Sequence, residues 1–497
     1  MSSPMQKFHG KSYFFRSLAA VSALALLSAC ATVPQSSTMT PLKAEALAAS
    51  ETLAAQPNGA WPARNWWQGF GDPQLDALID EAFHNAPDLQ AAQARIEKAL
   101  AQSAQIKAAT QADASLNVSD SVTKSSINMG TPSSVSFGSA SFDPRSILPQ
   151  GYWNLTRLSL DANYDLDPWG KSRAAIHGAR RAAEAAKVDA DAARLTLAAT
   201  ITQAYVELSR LYDARDQLNA MLSASDDRVA LNQALLDHRL ATKDAVLAEQ
   251  DQQAQIKGQI ASVDGAIRGQ QNLIAALIGA GPDRGAQIAR PHLAPADMGA
   301  LPQNVTLNLL GRRPDIAAAR LRVESQAAGI KYAKADFYPN VKLSAYWGIE
   351  ALSRGGFNQL FQDGSDIGGI GPAFSLPLFH QGRLKAEYRS YEADYDSAVA
   401  SYDQTLTKAF QQVADAVSAT RATTDQLATA RVRLDAAQQT LGLTQARFQR
   451  GLATKLELDA ARIRVASAQS ALNDLNAQAY NNRIKFIAAL GGGYQSE

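Results

Sequence analysis

The sequence has a single cysteine, Cys30, in 497 residues, which excludes an intrachain disulfide and a cysteine metal cluster. Its six histidines, His9, His84, His177, His238, His292 and His380, stand far apart, with no two at metal-binding spacing on one helix. A zinc-type catalytic site therefore has no ligand set, and no metal site is expected. The glycine pairs at 355–356 and 368–369 lack the lysine and the strand-loop-helix setting of a phosphate loop. Neither charge sign prevails, with 48 Lys plus Arg against 47 Asp plus Glu, so there is no broad basic field for nucleic acid. Nothing here forms a catalytic constellation, and the expectation is a protein that is not an enzyme and needs no cofactor.

Long apolar runs are also scarce. One lies at residues 18–27, behind Lys7, Lys11 and Arg16, and is short for a bilayer span but suited to the centre of an export signal. It ends in Leu27-Ser28-Ala29-Cys30, which resembles the bacterial lipoprotein signal. That resemblance implies cleavage before Cys30 and a covalent N-acyl and S-diacylglycerol lipid on it. Ala31, rather than an acidic residue, implies passage to the outer membrane. The alternative is cleavage after Ala31, since Ala29-Cys30-Ala31 also fits the small-x-small rule. Residues 1–29 are thus expected as signal and 30–60, rich in Ala, Ser, Thr and Pro, as a lipidated flexible tether.

What the sequence has in abundance is repetition. Pro87-Asp88-Leu89 with Arg95-Ile96-Glu97 returns as Pro314-Asp315-Ile316 with Arg322-Val323-Glu324, both at an offset of 227 residues. Leu166-Asp167-Pro168-Trp169-Gly170, before an Ala-rich helical stretch, is echoed by Leu376-Pro377-Leu378-Phe379 and Gly382-Arg383. Leu240-Ala241-Thr242-Lys243 returns as Leu452-Ala453-Thr454-Lys455, and Leu273-Ile274-Ala275-Ala276-Leu277 as Phe486-Ile487-Ala488-Ala489-Leu490. The chain therefore divides into a first repeat over 61–279, a linker over 280–302, a second repeat over 303–491 and a tail over 492–497. Each repeat reads as helix, two strands, then a long helical hairpin, with tips near 238–243 and 449–455.

The strands follow from alternation. Over 157–166, Leu158, Leu160, Ala162, Tyr164 and Leu166 alternate with Arg157, Ser159, Asp161, Asn163 and Asp165. Over 341–349, Val341, Leu343, Ala345, Trp347 and Ile349 alternate with Lys342, Ser344, Tyr346 and Gly348. Residues 115–123 and 367–378 alternate more weakly. Such lengths suit tilted strands crossing a bilayer, with the polar loops 124–153 and 351–366 outside. Four strands cannot close a barrel, and open edges in lipid cost several kcal/mol per unpaired group, so the chain must oligomerise; two or three copies would give eight or twelve strands.

No proline interrupts Lys171 to Asp237, and at 1.5 Å per residue such a helix projects roughly 100 Å. Leu195, Ala198, Ala199, Ile201, Ala204, Val206 and Leu208 recur at helical steps, as lateral packing requires. A fibrous spacer without a pore is the plain alternative, and the two-faced strands count against it.

Trp66-Trp67-Gln68-Gly69-Phe70-Gly71-Asp72-Pro73-Gln74-Leu75 looks like the leading segment of the lipoprotein branch (NodT/OprM-type) of TolC-like outer-membrane factors. Arg312-Arg313-Pro314-Asp315-Ile316, Lys334-Ala335-Asp336-Phe337-Tyr338-Pro339 and Gly451-Leu452-Ala453-Thr454 extend the resemblance over roughly residues 60–490. It implies a mainly α fold with membrane β: a homotrimer with a 12-stranded outer-membrane barrel, four strands per chain, continued by a periplasmic α-helical barrel. The partners implied are a periplasmic adaptor (membrane fusion protein), an inner-membrane pump and outer-membrane lipid. Residues 398–406 look more like partners of major-facilitator (MFS) than of resistance-nodulation (RND) pumps. The function implied is passive conduction of small toxic compounds to the exterior; a type I secretion duct or a structural lipoprotein are the alternatives.

By this resemblance Leu240, Ala241, Thr242, Gly451, Leu452, Ala453 and Thr454 form the adaptor-docking tips. Asp161, Asn163, Asp165, Lys342 and Ser344 line the pore, where charge escapes the penalty of lipid, and Arg312 and Arg313 are candidates for contact between protomers. Thr454 to Glu457 spells a capping box, and Gly451 suits a helix end; Arg239 stands at the equivalent place in the first tip, which is expected to be looser. Gly442 and Gln445 occupy positions where some relatives carry an acidic ring, and Asp226 and Asp227 are a weak substitute. Trp153 and Trp347 suit interfacial girdles or ordinary packing.

Overall fold

A computed structural model describes residues 33–36, 38–44, 47, 59–124, 135–137, 139–142, 151–295, 305–354, 356–376 and 380–495. The signal, Cys30, residues 296–304 at the linker's end and the start of the second repeat, and residues 377–379 of the second strand-to-helix echo lie outside them.

After a 3-10 turn at Trp66–Phe70 come α1 (Pro73–Asn85), α2 (Pro87–Ala109) and β1 (Asp113–Lys124). The short β2 (Val135–Phe137) and β3 (Ala140–Phe142) precede β4 (Tyr152–Leu166), α3 (Lys171–Asp237) and α4 (Lys243–Leu277). The second half holds α5 (Pro282–Ala286), α6 (Val305–Arg312), α7 (Pro314–Ala335), β5 (Asn340–Ser353), β6 (Asp366–Ser375), α8 (Gln381–Gln449) and α9 (Lys455–Ala489). The strands differ from the alternation reading at their ends. β4 begins at Tyr152 and β5 runs to Ser353, because Trp153 and Leu155, and Ala351 and Leu352, still find register partners across the pair. β6 stops at Ser375, and the paired β2 and β3 lie inside the segment read as a plain loop.

The chain forms two compact units that cut across both repeats. The unit of residues 1–39, 100–181 and 324–396 carries the antiparallel sheet, ordered β1-β4-β5-β6. At the helix-to-strand junction Ala333, Phe337, Leu384 and Tyr388 form a small core, with Val33 packed on it. Trp169 stacks on Tyr338 at 4.9 Å and donates from Nε1 to the Pro339 carbonyl at 2.8 Å. Lys171 reaches Asp336 at 2.5 Å, and that carboxylate outweighs partial burial to hold the ammonium above its usual range.

The unit of residues 40–99, 182–323 and 397–497 is helical. Its core gathers Trp66, Trp67, Phe70, Leu75, Leu78 and Ile79 against Ile201, Tyr205 and Leu208 of α3, Ile274 of α4 and Ile484 of α9. The Trp66–Phe70 motif is thus a packing motif, and Asp72 explains its polar residue. Asp72 caps α1 by accepting from the Gln74 amide at 2.9 Å, and its other oxygen accepts from the Tyr205 hydroxyl and the His292 amide, each at 2.7 Å. Gln74 completes the clamp with Ala289 on both sides of its amide. Burial first, then the bond to Asp72, pushes the Tyr205 hydroxyl up, so it stays a proton donor.

Two residues of the segment read as a flexible tether are bonded to α8. The Met39 amide donates to Asp396 at 2.7 Å and the Leu42 amide to Asp403 at 2.8 Å. These carboxylates are seven residues apart on α8, two turns along one face, so backbone donors with no secondary-structure partner find charged acceptors there.

Candidate functional site

The sheet joins its two-residue periodicity to two different surfaces. Register pairs Leu116, Leu160 and Trp347 across β1, β4 and β5, with Val118 opposite Leu158 and Val341 opposite Phe374. Leu116, Val118, Trp347, Ile370 and Phe374 are all more than half exposed. An apolar patch this continuous on a single chain marks a surface that something apolar covers.

The opposite face gathers the residues singled out in sequence. Asp165 stands opposite Lys342 and forms an ion pair at 3.4 Å; Asn163 stands opposite Ser344, which donates to it at 2.9 Å. Asp161 lies between them and Arg157, accepting from Asn117 at 2.8 Å and Ser159 at 2.7 Å. The sequence reading left Arg157 without a role and did not single out Glu350, Asn117 or Asp113. Arg157 bridges Asp161 at 3.8 Å and Glu350 at 3.5 Å and lies 5.4 Å from the Tyr346 ring centroid. Parity alone would have placed all of these on this face. Among the described residues the two outer strands, β1 and β6, each pair on one side only.

The hairpin tips end the helices in one way. At the second, Gly451 has φ 72° and the Leu452 amide donates to the Arg447 carbonyl at 2.8 Å. At the first, Arg239 has φ 63° and the Leu240 amide reaches the Leu235 carbonyl at 2.7 Å. The looser first tip expected from Arg239 is therefore corrected: the same helix-terminating hydrogen bond forms, and the arginine accepts the left-handed backbone. Replacing it tests this, since a side chain there costs roughly 1 kcal/mol. Arg239→Gly is expected to raise unfolding stability by about 0.5–1 kcal/mol, with slower exchange of the Leu240 amide; faster exchange would refute the strain.

Leu240 and Leu452 project at 75% and 65% exposure. Ala241, Thr242, Ala453 and Thr454 complete the two turns. Thr454 forms the capping box, accepting from the Glu457 amide at 3.2 Å while its own amide donates to Glu457 at 2.6 Å. Thr242 makes no side-chain cap, and Ala245, at the place of the glutamate, has no side chain to return a bond.

Asp227 is not a free acid. It meets Lys455 at 2.8 Å and Arg462 at 3.4 Å, both of which also contact the fully buried Asp459 at 3.2 Å. Asp226 accepts from Gln253. The Lys455 hydrogen bond holds the Asp227 carboxyl below its usual range. A depressed carboxylate stabilises above its unfolded value, about 3.9, and the contribution fades as pH falls through the lower folded value.

Arg313 also turns inward. Buried, it donates to the Ala489 carbonyl at 2.9 Å, to Gln412 at 2.8 Å and to both oxygens of Asp315. It satisfies the carboxyl end of α9, which gives it a task within the chain. Arg312 lies over the Trp61 ring at 4.6 Å. Among the described residues there is no cluster of His, Cys, Asp and Glu able to hold a metal, and no helix long and apolar enough to cross a membrane.

The family model described as outer membrane efflux protein matches residues 78–280 and 306–492. The multidrug resistance outer membrane protein MdtP of Escherichia coli strain K12 is 30% identical over 475 residues, covering 95% of each chain. The fusaric acid resistance protein FusA of Burkholderia cepacia is 33% identical over 375 residues, covering 74% of this chain and 68% of that one. Among solved structures, the outer membrane protein VceC of Vibrio cholerae superposes with a TM-score of 0.77 at 35% identity, over 88% of this chain and all of that one.

Proposed function

The chain belongs to the outer membrane efflux protein family, and on that premise we propose that it is the exit duct of a tripartite system, passing small toxic compounds outward without a chemical step of its own. The observation that carries the reading is a sheet with an exposed apolar face, a polar face and two open edges. An open edge in hydrocarbon leaves backbone groups unpaired, so β6 of one copy pairs with β1 of the next. Three copies of the four strands make a twelve-stranded barrel, wide enough for a channel. Lipid covers Leu116, Leu160 and Trp347, and Asp161, Asn163, Asp165, Lys342 and Ser344 line the lumen.

The helical hairpins reach into the periplasm, where the projecting Leu240 and Leu452, with their neighbours Ala241, Thr242, Gly451, Ala453 and Thr454, dock a periplasmic adaptor. An inner-membrane pump of the MFS or RND class supplies the energy. Cys30 carries the lipid anchor, which mass spectrometry of the mature amino-terminal peptide tests; an unmodified peptide beginning after Ala31 would exclude it. The Arg312–Arg313 pair lies at a contact between protomers.

The duct reading is tested by single-channel recording on purified protein whose oligomeric mass is measured on the same sample. A trimer with small, mostly closed conductance is expected. A monomer that neither inserts nor conducts would overturn the barrel.

A further inference from the structure

From the charge pattern of the sheet we infer that the barrel discriminates by charge, favouring cations and cationic amphiphiles over anions. This rests on the reading of the polar face as the lumen. Parity and register place six charged side chains of the four paired strands on that face: Asp113, Asp161, Asp165 and Glu350, against Arg157 and Lys342. Acids exceed bases by four to two in each chain.

Both bases are engaged by carboxylates on the same face. Lys342 meets Asp165 at 3.4 Å. Arg157 lies between Glu350 at 3.5 Å and Asp161 at 3.8 Å, and also donates to Ser159 at 3.3 Å. On this face of the strands neither base is thus presented alone to a passing anion. The surplus negative charge is held in place rather than left to swing, because Asn117 and Ser159 donate to the Asp161 carboxylate at 2.8 and 2.7 Å. The remaining lumen positions carry neutral groups, among them Ser115, Ser119, Asn163 and Ser344.

Three copies would place six surplus carboxylates around one lumen. Rings of acidic side chains select cations by lowering the potential along the pore. The effect must depend on salt, because the Debye length is about 10 Å at 0.1 M and about 3 Å at 1 M. In a wide barrel selectivity should therefore be pronounced in dilute salt and fade in concentrated salt.

Reversal potentials measured across a tenfold KCl gradient test this on the full-length trimer. The wild type is expected to pass potassium over chloride by about threefold in dilute salt, approaching equality near 1 M. Asp113→Asn combined with Asp161→Asn balances the face and should bring the ratio close to one at every concentration, with trimer mass unchanged. Lys342→Gln should move the ratio the opposite way. A wild type that prefers chloride or neither ion would overturn the inference, as would conducting variants whose ratios match the wild type. A wild type that does not conduct at all would instead overturn the duct reading on which this rests.

Discussion

Leu160→Arg is expected to abolish assembly of the protein in the outer membrane, whereas Asn163→Arg should assemble almost normally. The two positions lie three residues apart on β4, and their side chains leave the sheet on opposite faces. Leu160 is 48% exposed between Leu116 and Trp347. An arginine on the lipid face near mid-bilayer costs about 2–4 kcal/mol, and a trimer would bear it three times, a total of about 6–12 kcal/mol against a typical folding stability of about 5–15 kcal/mol. Asn163→Arg enters a polar, wet face already shared with Ser344 and Lys342, where the added charge stays hydrated. The fraction of trimer recovered from outer membranes checks both variants. Equal recovery of the two would mean that the apolar face does not meet lipid, and the barrel argument would fall with it.

Asp72→Ala is expected to destabilise the helical unit by about 4–7 kcal/mol, combining a lost helix cap worth about 1 kcal/mol with two hydrogen bonds to a charged group worth about 1.5–3 kcal/mol each. The largest part comes from Tyr205, fully buried on α3: with Asp72 gone its hydroxyl keeps the donor Gln74 but loses its acceptor. Asp72→Asn retains a good cap and an acceptor of the same shape, so it should lose less than half as much. Denaturant midpoints of Asp72→Ala, Tyr205→Phe and the double variant separate the contributions. Their effects should fall short of additivity by about 1–3 kcal/mol. Strict additivity would show that the two side chains do not act together and that the Trp66–Leu75 segment is held by its aromatic packing alone.

Much of this architecture was legible before any fold was known, and for a local reason. A two-residue rhythm reports one wet and one apolar face whatever lies on the other side of the strand, which is why Asp161, Asn163, Asp165, Lys342 and Ser344 could be assigned together. The proline-free run from Lys171 to Asp237 coincides with α3 to the residue, because helix propagation depends on near neighbours. Thr454 and Glu457 cap one another across three residues, and the repeats of these units announced their number. Family membership also followed from short contiguous motifs.

What needed the tertiary structure depends on groups far apart in the chain. Asp72 meets Tyr205 and His292 across 133 and 220 residues, and no periodicity encodes such a meeting. The amide donors of Met39 and Leu42 find their acceptors more than 350 residues away, which no local pattern encodes. Arg239 occupies a backbone that its type avoids, because the helices on either side demand the turn. The bond from Arg313 to the Ala489 carbonyl at the end of α9 joins residues 176 apart. By itself the sequence determined the four long strands and the helical hairpins, which face of each strand is polar and what class of protein results, since those are properties of neighbouring residues; only the tertiary structure decided register, buried partners and the balance of charge on the polar face, since those exist only once distant segments are brought together.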